Sequence, residues 1–143
     1  MTTLENAIQF AVKAHAGQVD KGGQPYILHP LRVMLAVHTP QERMAAVLHD
    51  VIEDTPLTAE DLARQGIPQA VIEAVVVLTK QKGESRIAAA KRAARHPIAR
   101  AVKIQDVKDN LNIDRIKNPS ERDLARLQEY EQVLAFLLGA KVE

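Results

Sequence analysis

Apolar residues recur along this chain mostly at intervals of three and four, the spacing of one face of an α-helix. Leu4, Ala7, Ile8, Ala11, Val12 and His15 form the first such stripe, and Gly17 closes it. The stretch from Gln18 to Tyr26 carries Gly22, Gly23 and Pro25 and reads as a loop. Pro30 suits the first turn of a second helix through Leu31, Met34, Leu35 and Val37. Pro40 suits the start of a third, with Met44, Val47, Leu48, Val51 and Ile52 as its buried stripe. Thr55-Pro56 ends that helix, because the residue before a proline avoids the α region. Thr58 with Asp61 resembles an N-cap pair for a short helix that stops at Gly66. Pro68 opens the run Val71 to Leu78. Periodicity alone leaves that run a buried strand or a buried helix; the proline start and the lack of a second strand-like run favour helix. Gln81 to Ser85 is a polar loop, Ile87 to Arg95 an alanine-rich helix, and Pro97 breaks or restarts it, with another helix from Ile98 to about Leu111. Ser120 with Asp123 caps a last helix carrying Leu124, Leu127, Val133, Leu134, Leu137 and Leu138 on one side, with Gly139 after it. The pattern predicts an all-α, single-domain helical bundle of about seven or eight helices over residues 1–143, without repeats or linkers.

Composition narrows this. Aromatic residues are only 3% of a chain that is 46% apolar, so the core is built from Leu, Ile, Val and Ala, which favours helix packing over aromatic-rich strands. The formal net charge is +1, so no global field draws in a nucleic acid polymer or an anionic membrane surface, and any phosphate binding is local. There is no cysteine; disulfides, thiolate catalysis and sulfur-ligated zinc are excluded, and a metal meets only nitrogen and oxygen. The start lacks a signal-peptide core and no apolar run reaches the length of a membrane span, so a cytoplasmic protein is the expectation.

Four residues carry candidate chemistry. His49 and Asp50 are adjacent at the end of an apolar helical stretch, His29 precedes Pro30 at a helix start, and Asp106 lies far downstream on another helix. Neighbours on a helix point about 100° apart, so His49 and Asp50 reach one ion only where it sits between their directions, in a crevice between helices. Two imidazoles and two carboxylates suit Mn²⁺, Fe²⁺ or Zn²⁺ and leave positions for water and a phosphate oxygen. Singly, each residue has a bland reading: a chance His-Asp pair, a histidine capping a helix, a solvated aspartate. The combination carries the case.

The motifs are Ala14-His15-Ala16-Gly17-Gln18, then Lys21-Gly22-Gly23-Gln24-Pro25-Tyr26-Ile27-Leu28-His29-Pro30, then Leu48-His49-Asp50-Val51-Ile52-Glu53-Asp54-Thr55. They continue with Leu78-Thr79-Lys80 and with Lys103-Ile104-Gln105-Asp106 and Asn110. Together they resemble the hydrolase domain of the RelA/SpoT family, of the HD superfamily, from about Leu4 to the end of the chain. The stretch Tyr130 to Leu138 looks like the closing helix of that family's short, stand-alone members, the metazoan ones included. The resemblance implies an HD-type bundle, one divalent ion, Mn²⁺ in that family, and removal of the 3′-pyrophosphate from the small nucleotide (p)ppGpp. Carried over by position, the metal ligands fall on His29, His49, Asp50 and Asp106, and the catalytic acids on Glu53 and Asp54. Lys21 falls on a basic loop residue that meets phosphate, although a solvated loop lysine is the alternative; Asn110 falls on a nucleotide-contacting asparagine, and Lys103 is a second candidate for stabilising charge. Glu53 and Asp54 lie four residues beyond His49 and Asp50, one turn along the same face. Their bland reading is a solvated helix end, which the helix dipole disfavours for acids.

The chain departs from the family at three places: Asp20-Lys21 stands for Arg-Lys, Asp106-Val107-Lys108-Asp109-Asn110 for Asp-Arg-Leu-His-Asn, and Leu111-Asn112-Ile113 for Met-Arg-Thr. The ion and water positions are retained while the nucleotide-recognition positions have drifted. His15 reads as a hydrogen-bonded core histidine, and His38 and His96 as surface residues. Other readings are a phosphohydrolase for a different small nucleotide and a non-catalytic, metal-containing nucleotide-binding protein. Homo-oligomerisation is left open.

Overall fold

Local caps fix most of the helix starts. The structure is a computed structural model that describes residues 3–112, 116 and 118–139, so Ile113 of the last departure and the extreme ends of the expected 1–143 domain lie outside the described residues. Thr3 caps α1 (Leu4–Ala14) through the Asn6 N–H; α2 is Leu28–Ala36. Thr39 and Glu42 form a reciprocal capping box, with Pro40 at the first position of α3 (Pro40–Leu48). A single turn, α4 (Val51–Asp54), follows. The Thr58–Asp61 pair read from the sequence is a capping box on α5 (Ala59–Arg64). The ambiguous apolar run is helix α6 (Gln69–Leu78), followed by α7 (Arg86–Ala93) and α8 (Pro97–Asn110). Ser120 and Asp123 box α9 (Glu121–Leu137). Among the described residues there is no strand, only an isolated antiparallel bridge between Val19 and Pro25 in the first loop. The fold class is all-α.

Three differences from the sequence reading stand out. The expected third helix is cut at His49–Asp50 into α3 and α4: Asp50 has φ −103° and ψ 1°, outside the helical basin. The apolar stripe runs on through Val51, so periodicity gives no sign of the cut. It also voids the dipole argument for Glu53 and Asp54, because a one-turn helix has no distinct far end. Second, His96 has a structural task, its Nδ1 accepting the Ala99 N–H as the N-cap of α8. Third, the stripe predicted for α9 is too broad. Val133 and Leu137 are buried, whereas Leu124 and Leu138 are exposed. Leu124 lies nine positions before Val133, about 180° round a helix at 100° per residue.

Helix α3 is the centre of the larger core. Ala45, Ala46, Val47 and Leu48 are fully buried in sequence, and α3 packs against α1, α2, α6 and α8. Its alanines, with Ala7, Ala11, Ala74 and Ala99 on the neighbours, let helix backbones approach closely. Each buried Leu or Val here contributes roughly 1.5–3 kcal/mol relative to exposure. A second, smaller core joins Ala90 of α7, Val107 of α8 and Val133 and Leu137 of α9. The cleft described next opens between the two.

Candidate metal centre

Four side chains from three places in the fold meet at the floor of this cleft. His29 comes from the first turn of α2, Asp106 from the middle of α8, and His49 and Asp50 from the break between α3 and α4. One ligand atom from each lies within 4.8 Å of every other. The break makes this possible for the adjacent pair, turning Asp50 back so that its Oδ2 lies 3.0 Å from His49 Nε2. His29 Nε2 is 2.9 Å from Asp106 Oδ1 and 3.8 Å from Asp50 Oδ2. Both histidines and Asp106 are buried.

The donor set fits a divalent cation. His49 Nδ1 lies 2.6 Å from the Ala46 carbonyl, which only accepts, so Nδ1 carries the proton and donates. That leaves Nε2, buried and without a hydrogen-bond partner, facing carboxylate oxygens of Asp50 at 3.0 Å and Asp106 at 3.3 Å. A nitrogen lone pair aimed at two carboxylates calls for a cation among them. Without one a proton serves: burial alone would push the His49 imidazole down, but the charges of Asp50 and Asp106 hold it well above its ordinary value. Burial would push Asp106 up, and Lys103 and His49 hold it well below the carboxylate range.

The carboxylate of Asp106 is also the hub for two other predicted residues. Lys103 Nζ donates to its Oδ2 at 3.0 Å and Asn110 Nδ2 to its Oδ1 at 3.2 Å. These sit three before and four after Asp106, on the same face of α8. Lys21, by contrast, is across the cleft mouth, its Nζ 3.0 Å from Asp123 Oδ1 at the start of α9. Glu53 and Asp54 are exposed and line the same cavity of about 520 Å³ as the four-residue cluster. Glu53 Oε1 accepts the Lys80 N–H at 2.7 Å, which fixes that carboxylate against the end of α6. Burial and the neighbouring Asp50 and Glu53 raise the Asp54 carboxyl above its ordinary value.

Tyr26 and Gln18 also take part, and neither was given a role from the sequence. Tyr26 donates its hydroxyl to Asp50 Oδ2 and packs between His15 and His29, with ring centroids 5.0 and 5.8 Å away. Burial and the Asp50 charge push its hydroxyl pKa up. His15 is buried as expected; its Nδ1 meets Gln18 Oε1 at 2.8 Å, and Gln18 Nε2 donates to the Asp54 carbonyl at 3.2 Å. These residues lie inside the long motifs, which was the available signal. Asp20 turns out to build its loop: its Oδ1 accepts the N–H groups of Gly22 and Gln24 at 2.8 and 3.0 Å. Gly23 in that turn has φ 80°, a conformation suited to glycine.

The bundle and its two-histidine, two-aspartate cluster define the class: the chain belongs to the HD-domain family, whose profile matches residues 7–108. Among particular relatives, it is 34% identical over 150 aligned residues to a GTP pyrophosphokinase of Streptomyces coelicolor, covering 95% of this chain and 18% of that one. It is 44% identical over 79 residues to a guanosine-3′,5′-bis(diphosphate) 3′-pyrophosphohydrolase of Haemophilus influenzae, covering 51% and 12%. It is 41% identical over 81 residues to the bifunctional (p)ppGpp synthase/hydrolase SpoT of Escherichia coli, covering 54% and 11%. The chain thus spans less than a fifth of these relatives. The solved structure of a metazoan ortholog of SpoT, described as hydrolysing ppGpp, superposes with a TM-score of 0.80 at 22% identity, covering 97% of this chain and 86% of that one; it shows that the fold is shared. Among the described residues, no helix is long and apolar enough to cross a membrane.

Proposed function

We propose that this protein is a metal-dependent phosphohydrolase of the cytoplasm that removes pyrophosphate from the 3′ position of ppGpp or a closely related small nucleotide. The observation that carries the reading is the convergence of His29, His49, Asp50 and Asp106 on one point, with Glu53 and Asp54 facing the same cavity. The named activities of two of the relatives support the substrate class. His29, His49, Asp50 and Asp106 would hold the ion, with Mn²⁺ the first choice. The chemistry a divalent ion supplies at such a site is Lewis acidity towards a phosphoryl oxygen and acidification of water. Glu53, anchored by the Lys80 N–H, orients a water and takes its proton, and Asp54 is the second base. Lys103 offsets charge beside Asp106, and Lys21 exchanges Asp123 for a substrate phosphate. Water adds to phosphorus, the bond to the 3′ oxygen breaks, and the products are pyrophosphate and a nucleotide with a free 3′-hydroxyl.

The test is a nucleotide panel with purified protein. Activity on ppGpp is expected with Mn²⁺, is lost on chelation, and returns when Mn²⁺ is restored. If ppGpp stays intact while a nucleotide lacking any 3′ phosphate is cleaved, the enzyme is an HD phosphohydrolase of another nucleotide. Tight nucleotide binding with no product from any member points to a non-catalytic binder.

The Asp20 carboxylate lines the cleft on the way to Lys21. Asp20→Asn keeps an acceptor for both loop amides and removes the charge. The KM for ppGpp is expected to fall several-fold at low salt, with kcat unchanged and the effect shrinking as salt rises. A KM that does not respond excludes Asp20 from phosphate repulsion. Asp20→Arg is the poorer probe, since it also removes the two amide acceptors.

A further inference from the structure

Behind His29, on the side away from the cluster, lies an ion pair between Asp109 and Arg32. Asp109 Oδ2 is 2.6 Å from His29 Nδ1. The same carboxylate accepts from Arg32 through two bonds, Nε to Oδ1 at 2.7 Å and a terminal guanidinium nitrogen to Oδ2 at 3.0 Å. Two one-turn spacings on facing helices, His29 and Arg32 on α2 and Asp106 and Asp109 on α8, create the arrangement.

The chemistry of the contact sets the tautomer. An ionised carboxylate only accepts, so the Nδ1 atom of His29 keeps its proton whatever happens at Nε2. The Nε2 atom is therefore the one presented to Asp106, Asp50 and His49. The bidentate guanidinium holds the carboxylate in one plane, which fixes the imidazole about its own axis. A carboxylate behind a ligating imidazole also raises the electron density at the coordinating nitrogen.

We infer that Asp109, clamped by Arg32, is a positioning residue that fixes His29 for metal binding and sets this protein's affinity for its divalent ion. The inference rests on the reading of His29 as a ligand. It gives Asp109 a task at the metal rather than at the nucleotide.

The experiment measures Mn²⁺ affinity of the full chain by equilibrium dialysis, for the wild type, Asp109→Ala, Asp109→Asn and Arg32→Gln. Outer partners of ligating histidines are typically worth about 10–100-fold in metal affinity. Asp109→Ala is expected to weaken Mn²⁺ by that amount, Asp109→Asn by less because it keeps an acceptor, and Arg32→Gln least. Nucleotide turnover lost at low Mn²⁺ is expected to return as Mn²⁺ is raised, which a collapsed site would not do. In the Zn²⁺-loaded protein, the downfield His29 Nδ1 proton signal is expected in the wild type and missing in Asp109→Ala. An Asp109→Ala protein that melts like the wild type when chelated, yet holds Mn²⁺ within about twofold of it, overturns the inference. If Asp109→Ala does not fold, Arg32→Gln and Asp109→Asn decide it by the same affinity criterion. A wild type that binds no divalent ion overturns the metal-centre reading itself, a result distinct from a wild type that binds while its variants are unchanged.

Discussion

Replacing Asp106 with asparagine is expected to remove both activity and metal binding, and to destabilise the chelated protein as well. The reason lies in what its carboxylate holds. Lys103 Nζ, Asn110 Nδ2 and the Nε2 atoms of His29 and His49 all lie within 3.3 Å of it. Burial lowers the Lys103 pKa, and the charge and hydrogen bond of Asp106, together with the charge of Asp50, outweigh it and keep it raised. Removing one partner of a fully buried pair typically costs about 3–5 kcal/mol, and Lys103, whose side chain is 23% exposed, sets the expected loss below that. Denaturant titration in chelator should show that loss. The double variant Lys103→Met/Asp106→Asn should recover most of the stability and none of the activity, separating the ammonium's demand for a counter-ion from the catalytic demand for a ligand. If Asp106→Asn is as stable as the wild type in chelator, Lys103 does not depend on Asp106 and the account of the cluster's charge balance is wrong.

Glu53→Gln is the second large effect. The amide oxygen of glutamine can keep the Lys80 N–H bond that holds residue 53 in place, so the substitution changes basicity with little change in position. Turnover is expected to fall by about 10²–10⁴, the usual worth of a general base, while Mn²⁺ affinity and melting temperature stay near those of the wild type. Asp54→Asn is the companion. Burial and the charges of Asp50 and Glu53 raise the Asp54 carboxyl, which makes it a stronger proton acceptor than an ordinary aspartate. A small effect for Glu53→Gln beside a large one for Asp54→Asn would move the role one residue along.

The candidate ligands and acids were legible through motifs that resemble a known family, and beyond those motifs the legible parts are the ones that depend on short-range spacing. Lys103 and Asn110 share the Asp106 face because helical periodicity puts them there. The capping boxes at Thr58 and Ser120 are visible because their logic spans three residues. The break at His49–Asp50 was not legible, since the hydrophobic stripe continues across it. The pairing of Lys21 with Asp123 was out of reach, because nothing local announces a contact between residues 102 positions apart. Asp109 sits between these cases. Its i,i+3 relation to Asp106 could have placed it on the same face, but which side of His29 it would reach depends on how α2 crosses α8. Asp20 shows in the sequence only as a departure from the resembled family, and its hydrogen bonds to the loop's own backbone appear in the structure alone.

The division of the interior into two cores bears on cooperativity. Val133 and Leu137 of α9 pack with Ala90 and Val107, apart from the larger cluster around α3. Across the cleft mouth α9 is tied back by the Lys21–Asp123 ion pair, and Arg100 donates to the Leu137 carbonyl at its far end. Local unfolding proceeds by such units, and one with so small an interior opens at lower free-energy cost than the whole chain. The two walls of the cleft thus belong to units of unequal resistance to opening. A ligand that touches both joins them into one, and the amides of α9 become its most sensitive reporters, slowing in hydrogen exchange before the ligand changes the protection of α3 at all.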